Sequence, residues 1–76
     1  MSKKLKYVMY NNGPILFGQS SSHSEFRHFN PTSAGFCTIN FENYRYSVDV
    51  YGGSISLKLK ADERDKILIE LILNEY

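Results

Sequence analysis

Residues 36–60, FCTINFENYRYSVDVYGGSISLKLK, alternate apolar and polar side chains across two short breaks, and this alternation constrains the fold more than any other feature. Taking Glu42-Asn43 as a two-residue turn sets Phe41 opposite Tyr44, Ile39 opposite Tyr46 and Cys37 opposite Val48. Taking Gly52-Gly53 as a second sets Val50 opposite Ile55, Val48 opposite Leu57 and Tyr46 opposite Leu59. Both turns place Cys37, Ile39, Phe41, Tyr44, Tyr46, Val48, Val50, Ile55, Leu57 and Leu59 on one face. Phe36, Thr38, Asn40, Arg45, Ser47, Asp49, Tyr51, Ser56, Lys58 and Lys60 fall on the other. A slip of one residue would turn every side chain to the wrong face, so two turns that agree predict a three-stranded antiparallel meander over 35–60.

Ahead of the meander, LKYVMY and PILFG flank Asn12-Gly13, a pair suited to the positive φ of a two-residue hairpin turn, which predicts a hairpin over 5–18. Pro14, lacking an N–H, suits an edge strand. Ser22 to Glu25 reads as a capping box opening a short helix over 22–29, with Phe26 and Phe29 turned inward and Asn30-Pro31 as its stop. The tail, 62–76, is a helix with Asp62 as N-cap and Glu63 and Asp65 in its first turn, where the helix dipole favours negative charge. Its apolar residues, Ile67, Leu68, Ile69, Leu71, Ile72 and Leu73, sweep an arc of roughly 240°, far more than one sheet contact needs. Lys66, Glu70, Asn74 and Glu63 form the polar stripe.

With 76 residues the chain is one domain, 1–76, and buries only about 60% of the surface its unfolded form exposes. The expected architecture is therefore α+β: a single-layer antiparallel sheet, in the order β-β-α-β-β-β-α, covered on one face by the C-terminal helix. A single cysteine excludes an internal disulfide, and YVMY, the longest apolar run near the start, is too short for a signal peptide or a membrane span. The expectation is a soluble, cytoplasmic protein with no membrane association.

Reactive side chains crowd residues 20–37 without composing a site. His23 and His28 are five apart, about 140° on a helix, whereas a two-histidine metal face needs a spacing of three or four. Cys37 falls inside the meander, where a buried thiol is a small hydrophobe of raised pKa. The chain carries no G-x-S-x-G, P-loop, G-x-G-x-x-G or H-E-x-x-H motif, and the glycines of YGGS are explained by a hairpin tip. No catalytic residue, metal or cofactor is assigned, and the chain is expected not to be an enzyme.

Three surfaces remain as candidates. On the open sheet face, Arg45, Lys58 and Lys60 converge at one end, with Phe36, Tyr51 and Asp49 at the other; basic groups beside aromatics hold single-stranded nucleic acid or an acidic partner. The net charge of +1 lacks the strong basic balance of a nucleic-acid binder. The second candidate is surplus apolar surface: Ile69, Leu73 and Tyr76 on the helix, with the two-faced hairpin of Leu5, Tyr7, Val8, Met9, Ile15, Leu16 and Phe17, from which Tyr7 and Met9 join the helix residues as a candidate partner or oligomer interface. The third is the exposed side of the connector, His23, Glu25, Arg27 and His28.

The segments SAGFCTI (33–39) and VYGGSISLKLKADERDKILIELIL (50–73) resemble a group of short hypothetical proteins of bacteria and their mobile elements, in which an A-G-F strand, a Y-G-x-S-x-S-L hairpin and an acidic helix start recur. The resemblance covers the second half of the chain and carries no site residue. It implies a small stand-alone protein that binds a larger host or phage protein. The expected function is thus a non-enzymatic protein-binding module, such as a phage or mobile-element inhibitor that sterically blocks a host defence complex in the manner of an anti-CRISPR. Its partner would be another protein or a second copy, with homo-oligomerisation expected. The alternative is a small RNA- or DNA-binding protein using Arg45, Lys58 and Lys60.

Overall fold

The computed structural model describes residues 2–26 and 30–75, with Phe26 by its backbone alone. Four antiparallel strands, β1 (Ser2–Tyr10), β2 (Gly13–Phe17), β3 (Ser33–Glu42) and β4 (Arg45–Tyr51), form one sheet in the order β2-β1-β3-β4. Two further short strands, β5 (Gly53–Ser54) and β6 (Leu59–Lys60), make a separate ribbon, and the helix α1 (Glu63–Asn74) follows. The α+β architecture with a helix over one sheet face is as the sequence predicts.

β1 is longer than its apolar run. Lys3 and Lys4 pair with Ile39 and Thr38 because the ten-residue β3 offers them a ladder, and pairing overrides the weak strand preference of lysine. Leu5, Tyr7 and Met9 alternate onto the face that carries Cys37, Ile39, Val48 and Val50, and α1 closes this face with Ile69. Tyr7, Cys37 and Ile69 are fully buried there, and burying Ile69 alone contributes about 1.5–3 kcal/mol. The backbone of α1 comes nearest to the two edge strands, β4 and β2, so the sheet curves round the helix. On the opposite face Val8 and Ala34 are buried where a single 3-10 turn, His23–Phe26, lies against β1.

The turns differ from expectation in an instructive way. In the first hairpin Tyr10 sits opposite Gly13, so the turn residues are Asn11 and Asn12 and the positive φ, +125°, falls on Gly13 itself. Pro14 lies on an edge strand as its missing N–H requires. Between β3 and β4 the turn residues are Asn43 and Tyr44, both at positive φ (52° and 63°) as a two-residue hairpin turn demands, and not Glu42 and Asn43. Phe41 therefore faces Tyr46, Ile39 faces Val48 and Cys37 faces Val50. The pairing moved by two residues, which preserves every side chain's face. Tyr44, as a turn residue, is 95% exposed instead of core, and Phe41 and Tyr46, paired next to the turn and also expected in the core, are 45% and 37% exposed.

The third meander strand does not form. Gly52, at φ +71°, turns the chain away from β4, and Gly53 and Ser54 pair with Lys60 and Leu59. Ile55, expected in the core, is 97% exposed at the tip of the ribbon. The ribbon packs on the start of β3, tied by the Ala61 amide donating to the Gly52 carbonyl at 2.9 Å. Gly35 is needed for this approach: a Cβ there would lie 2.7 Å from the Tyr51 carbonyl oxygen and 2.9 Å from the Ala61 Cβ. The place of the missing strand, the outer edge of β4, is taken by side chains of α1. Val48 N–H donates to Glu70 Oε2 at 3.0 Å and Tyr46 N–H to Asn74 Oδ1 at 2.8 Å, while Asn74 Nδ2 donates to the Tyr46 carbonyl at 2.9 Å.

The connector is shorter than the helix expected over 22–29. Glu25 reaches back to the Ser22 amide at 2.9 Å, as in a capping box, but the Ser22 hydroxyl accepts from Ser24 N–H at 3.2 Å rather than from Glu25. Phe29 and the Phe26 side chain lie outside the described residues. Asp62 caps α1 as predicted, in a capping box completed by Asp65.

Candidate binding surface on the C-terminal helix

The orientation of α1 decides which residues are available to a partner. Glu70 and Asn74, which read in the sequence as a solvent stripe, are turned toward the edge of β4. That rotation sends Ile69 inward, with Leu73 packed against the core, and leaves Ile67, Leu68, Leu71 and Ile72 outward at 57%, 44%, 59% and 43% exposure. The expected interface of Ile69, Leu73, Tyr7 and Met9 is thus corrected: these residues build the core, and Tyr76 lies outside the described residues. The signal that finds the outward face is the spacing of Glu70 and Asn74, four apart, which lets both reach amides along the outer edge of β4.

Two shallow grooves flank the outward face. Arg45 lines one with Ile67, Glu70, Leu71, Asn74 and Glu75; Tyr10, Asn11, Arg64 and Leu68 contribute to the other. Arg64 sits at the N-terminal end of the face, its side chain 86% exposed and bonded to Asp62 at 2.9 Å. This contact holds the Asp62 carboxyl below the usual carboxylate range. Glu75, also exposed, stands at the opposite end.

The basic patch does not assemble. Arg45 opens β4 opposite Glu42, whereas Lys58 and Lys60 belong to the ribbon beyond its other end, so the length of β4, roughly 20 Å, lies between them. The register that brought them together required the third meander strand. Phe36 and Tyr51 do meet, as a stacked pair with centroids 5.8 Å apart.

Of the connector residues, Glu25 is exposed and Arg27 and His28 lie outside the described residues. His23 is corrected from exposed to buried, at 6% exposure. Its Nε2 is 2.8 Å from the Gly35 carbonyl oxygen, and its ring stands edge-on to Phe17 and Phe36 at 5.4 and 5.6 Å. His23 thus packs on the Phe36 face while Cys37, the next residue, points to the core, so the sheet separates thiol from imidazole. Burial pushes the Cys37 thiol up to about 11, as expected for an inert cysteine.

A further buried ionisable group is Asp65. Its Oδ2 accepts from Tyr7 Oη at 2.6 Å, Ser33 Oγ at 2.7 Å and the Asp62 amide at 3.2 Å, joining β1, β3 and the start of α1. Burial, and then the hydrogen bond to Asp65, push the Tyr7 phenol far above its ordinary range. Through these three bonds the carboxylate ties the elements together. Among the described residues no group of three or more His, Cys, Asp or Glu could hold a metal ion, and no helix is long and apolar enough to cross a membrane. Comparison with known proteins finds no family model, no curated protein and no solved structure that matches the chain.

Proposed function

We propose that the chain is a small protein-binding module whose contact surface is the outward face of α1. The observation that carries this reading is the cluster of Ile67, Leu68, Leu71 and Ile72, four large aliphatic side chains left 43–59% exposed on one helix face of a 76-residue chain. Single exposed apolar residues are ordinary, but a contiguous apolar patch rimmed by charge, here Arg64, Arg45 and Glu75, is the composition of a protein interface. A phage or mobile-element inhibitor that covers a surface of a host defence complex is one form of such a module, and the resemblance of the second half to short mobile-element proteins speaks for it. Nucleic-acid binding loses its main support, since Arg45 stands apart from Lys58 and Lys60.

Leu71→Glu is the test. Leu71 is more than half exposed, so the variant is expected to keep the wild-type far-UV circular dichroism and cooperative unfolding. Any protein complex the wild type forms, with itself or with a protein captured from bacterial lysate, is expected to be lost. Complexes retained unchanged by this variant would place the contact surface elsewhere.

A further inference from the structure

The outward face of α1 has an internal symmetry that selects its occupant, and this inference rests on the reading of that face as a protein contact. Arg64, Leu68, Leu71 and Glu75 follow one another at spacings of four, three and four, which is the row that a helix presents along the seam of a two-helix pair. The row is symmetric about the midpoint between Ile69 and Glu70: two leucines lie inside, a cation at one end and an anion at the other. Ile67 and Ile72 flank it on either side. Over this row the helix rises about 16 Å.

We propose that the face binds a second copy of the same chain, α1 against α1, antiparallel about a two-fold axis. In that arrangement Leu68 of one copy meets Leu71 of the other, twice, and Arg64 meets Glu75, also twice. Ile67 and Ile72 each flank their own counterparts across the axis. An isologous contact of this kind closes on itself, as two-fold dimers do. A parallel pairing is disfavoured by charge, because it sets Arg64 against Arg64 and Glu75 against Glu75. The bond from Arg64 to its own Asp62 is no obstacle: it is an exposed pair, which contributes little, and Arg64 has donors to spare for a second carboxylate. With four large aliphatic side chains per copy, the buried area falls below about 1,200 Å² in total, the range of weak and transient complexes. The dimer is therefore expected to dissociate in the micromolar range or above, and to form at high local concentration.

Light scattering and sedimentation from about 1 μM to about 1 mM, spanning the affinity expected of an interface this small, read the association directly. The wild type is expected to approach the dimer mass, and Leu71→Glu to remain monomeric with its fold intact by circular dichroism. Arg64→Glu and Glu75→Arg singly are expected to weaken association by roughly tenfold, since each turns both end pairs from attraction to repulsion. The double variant Arg64→Glu/Glu75→Arg is expected to restore it. The cap of α1 survives these changes because Asp62 accepts from the backbone N–H of Arg64 at 3.0 Å. Restoration is specific to the antiparallel pair, because in a parallel one neither the single nor the double reversal changes the number of like-charge contacts. A wild type monomeric throughout this range overturns the self-pairing while leaving the protein-contact reading to the lysate capture. A dimer indifferent to Leu71→Glu overturns both, and a dimer lost in Leu71→Glu but not restored by the double reversal overturns the antiparallel geometry.

Discussion

The two faces of the sheet are closed by different means. On the core face a three-turn helix contributes Ile69 and a carboxylate, Asp65, that holds Tyr7 of β1 and Ser33 of β3 together. On the outer face one 3-10 turn contributes a buried ring, His23, wedged between Phe17 and Phe36 and within hydrogen-bond distance of the Gly35 carbonyl. The first face is locked by polar bonds that cross three elements, whereas among the described side chains of the short connector it is His23 that covers the second. Stability should accordingly be global on the first face and local on the second.

Asp65→Ala should produce the largest effect. It leaves two buried hydroxyls without their acceptor and opens the capping box, which together cost about 3–5 kcal/mol in urea unfolding. A loss below 1 kcal/mol would mean that Tyr7 and Ser33 find other partners.

Alkali attacks the same face. The folded Cys37 thiol titrates near 11, above its ordinary 9.0, so the stability it contributes is fully present below pH 9 and is lost as pH rises towards 11. The loss is about 2–3 kcal/mol, with Tyr7 acting in the same direction. Cys37→Ala should flatten this slope in pH-dependent unfolding.

His23→Ala should cost less, about 1–2 kcal/mol, by stripping the Gly35 carbonyl of its partner. Hydrogen exchange should quicken at residues 18–26 and 30–35 and leave α1 protected; uniform loss of protection would erase the distinction between the faces. Asn74→Ala should be smallest, about 0.5–1 kcal/mol, and confined to the exchange of the Tyr46 amide.

The alternation of residues 36–50 is sufficient to place Cys37, Ile39, Val48 and Val50 inward even though the turn lies one residue later than the sequence suggests. A hairpin shifted by a residue at the turn changes partners in steps of two, and parity survives. The same pattern continues through Ser54–Lys60, yet no strand of the sheet forms there. Alternation reports which side chains could share a face, not whether the neighbouring edge is vacant, and here Glu70 and Asn74 occupy it. Those two residues also set the orientation of α1. All four residues of the exposed face lay within the apolar arc visible in the sequence, but the sector that faces out depends on where the polar stripe finds its partners, a tertiary fact. His23 escaped for a similar reason: its burial depends on a β2–β1–β3 neighbourhood that no local spacing encodes.

The seal along β4 has a consequence for how this chain fails. Because that edge is closed by two side chains from the last turns of a helix, fraying of α1 releases the Tyr46 and Val48 amides on a strand rich in β-forming residues, beside Phe41. Pro14 keeps the other margin of the sheet from recruiting strands in the same way. Loss of those turns is therefore the step that makes the chain prone to aggregate, and the C-terminal turns of α1 act as its guard against self-templated growth.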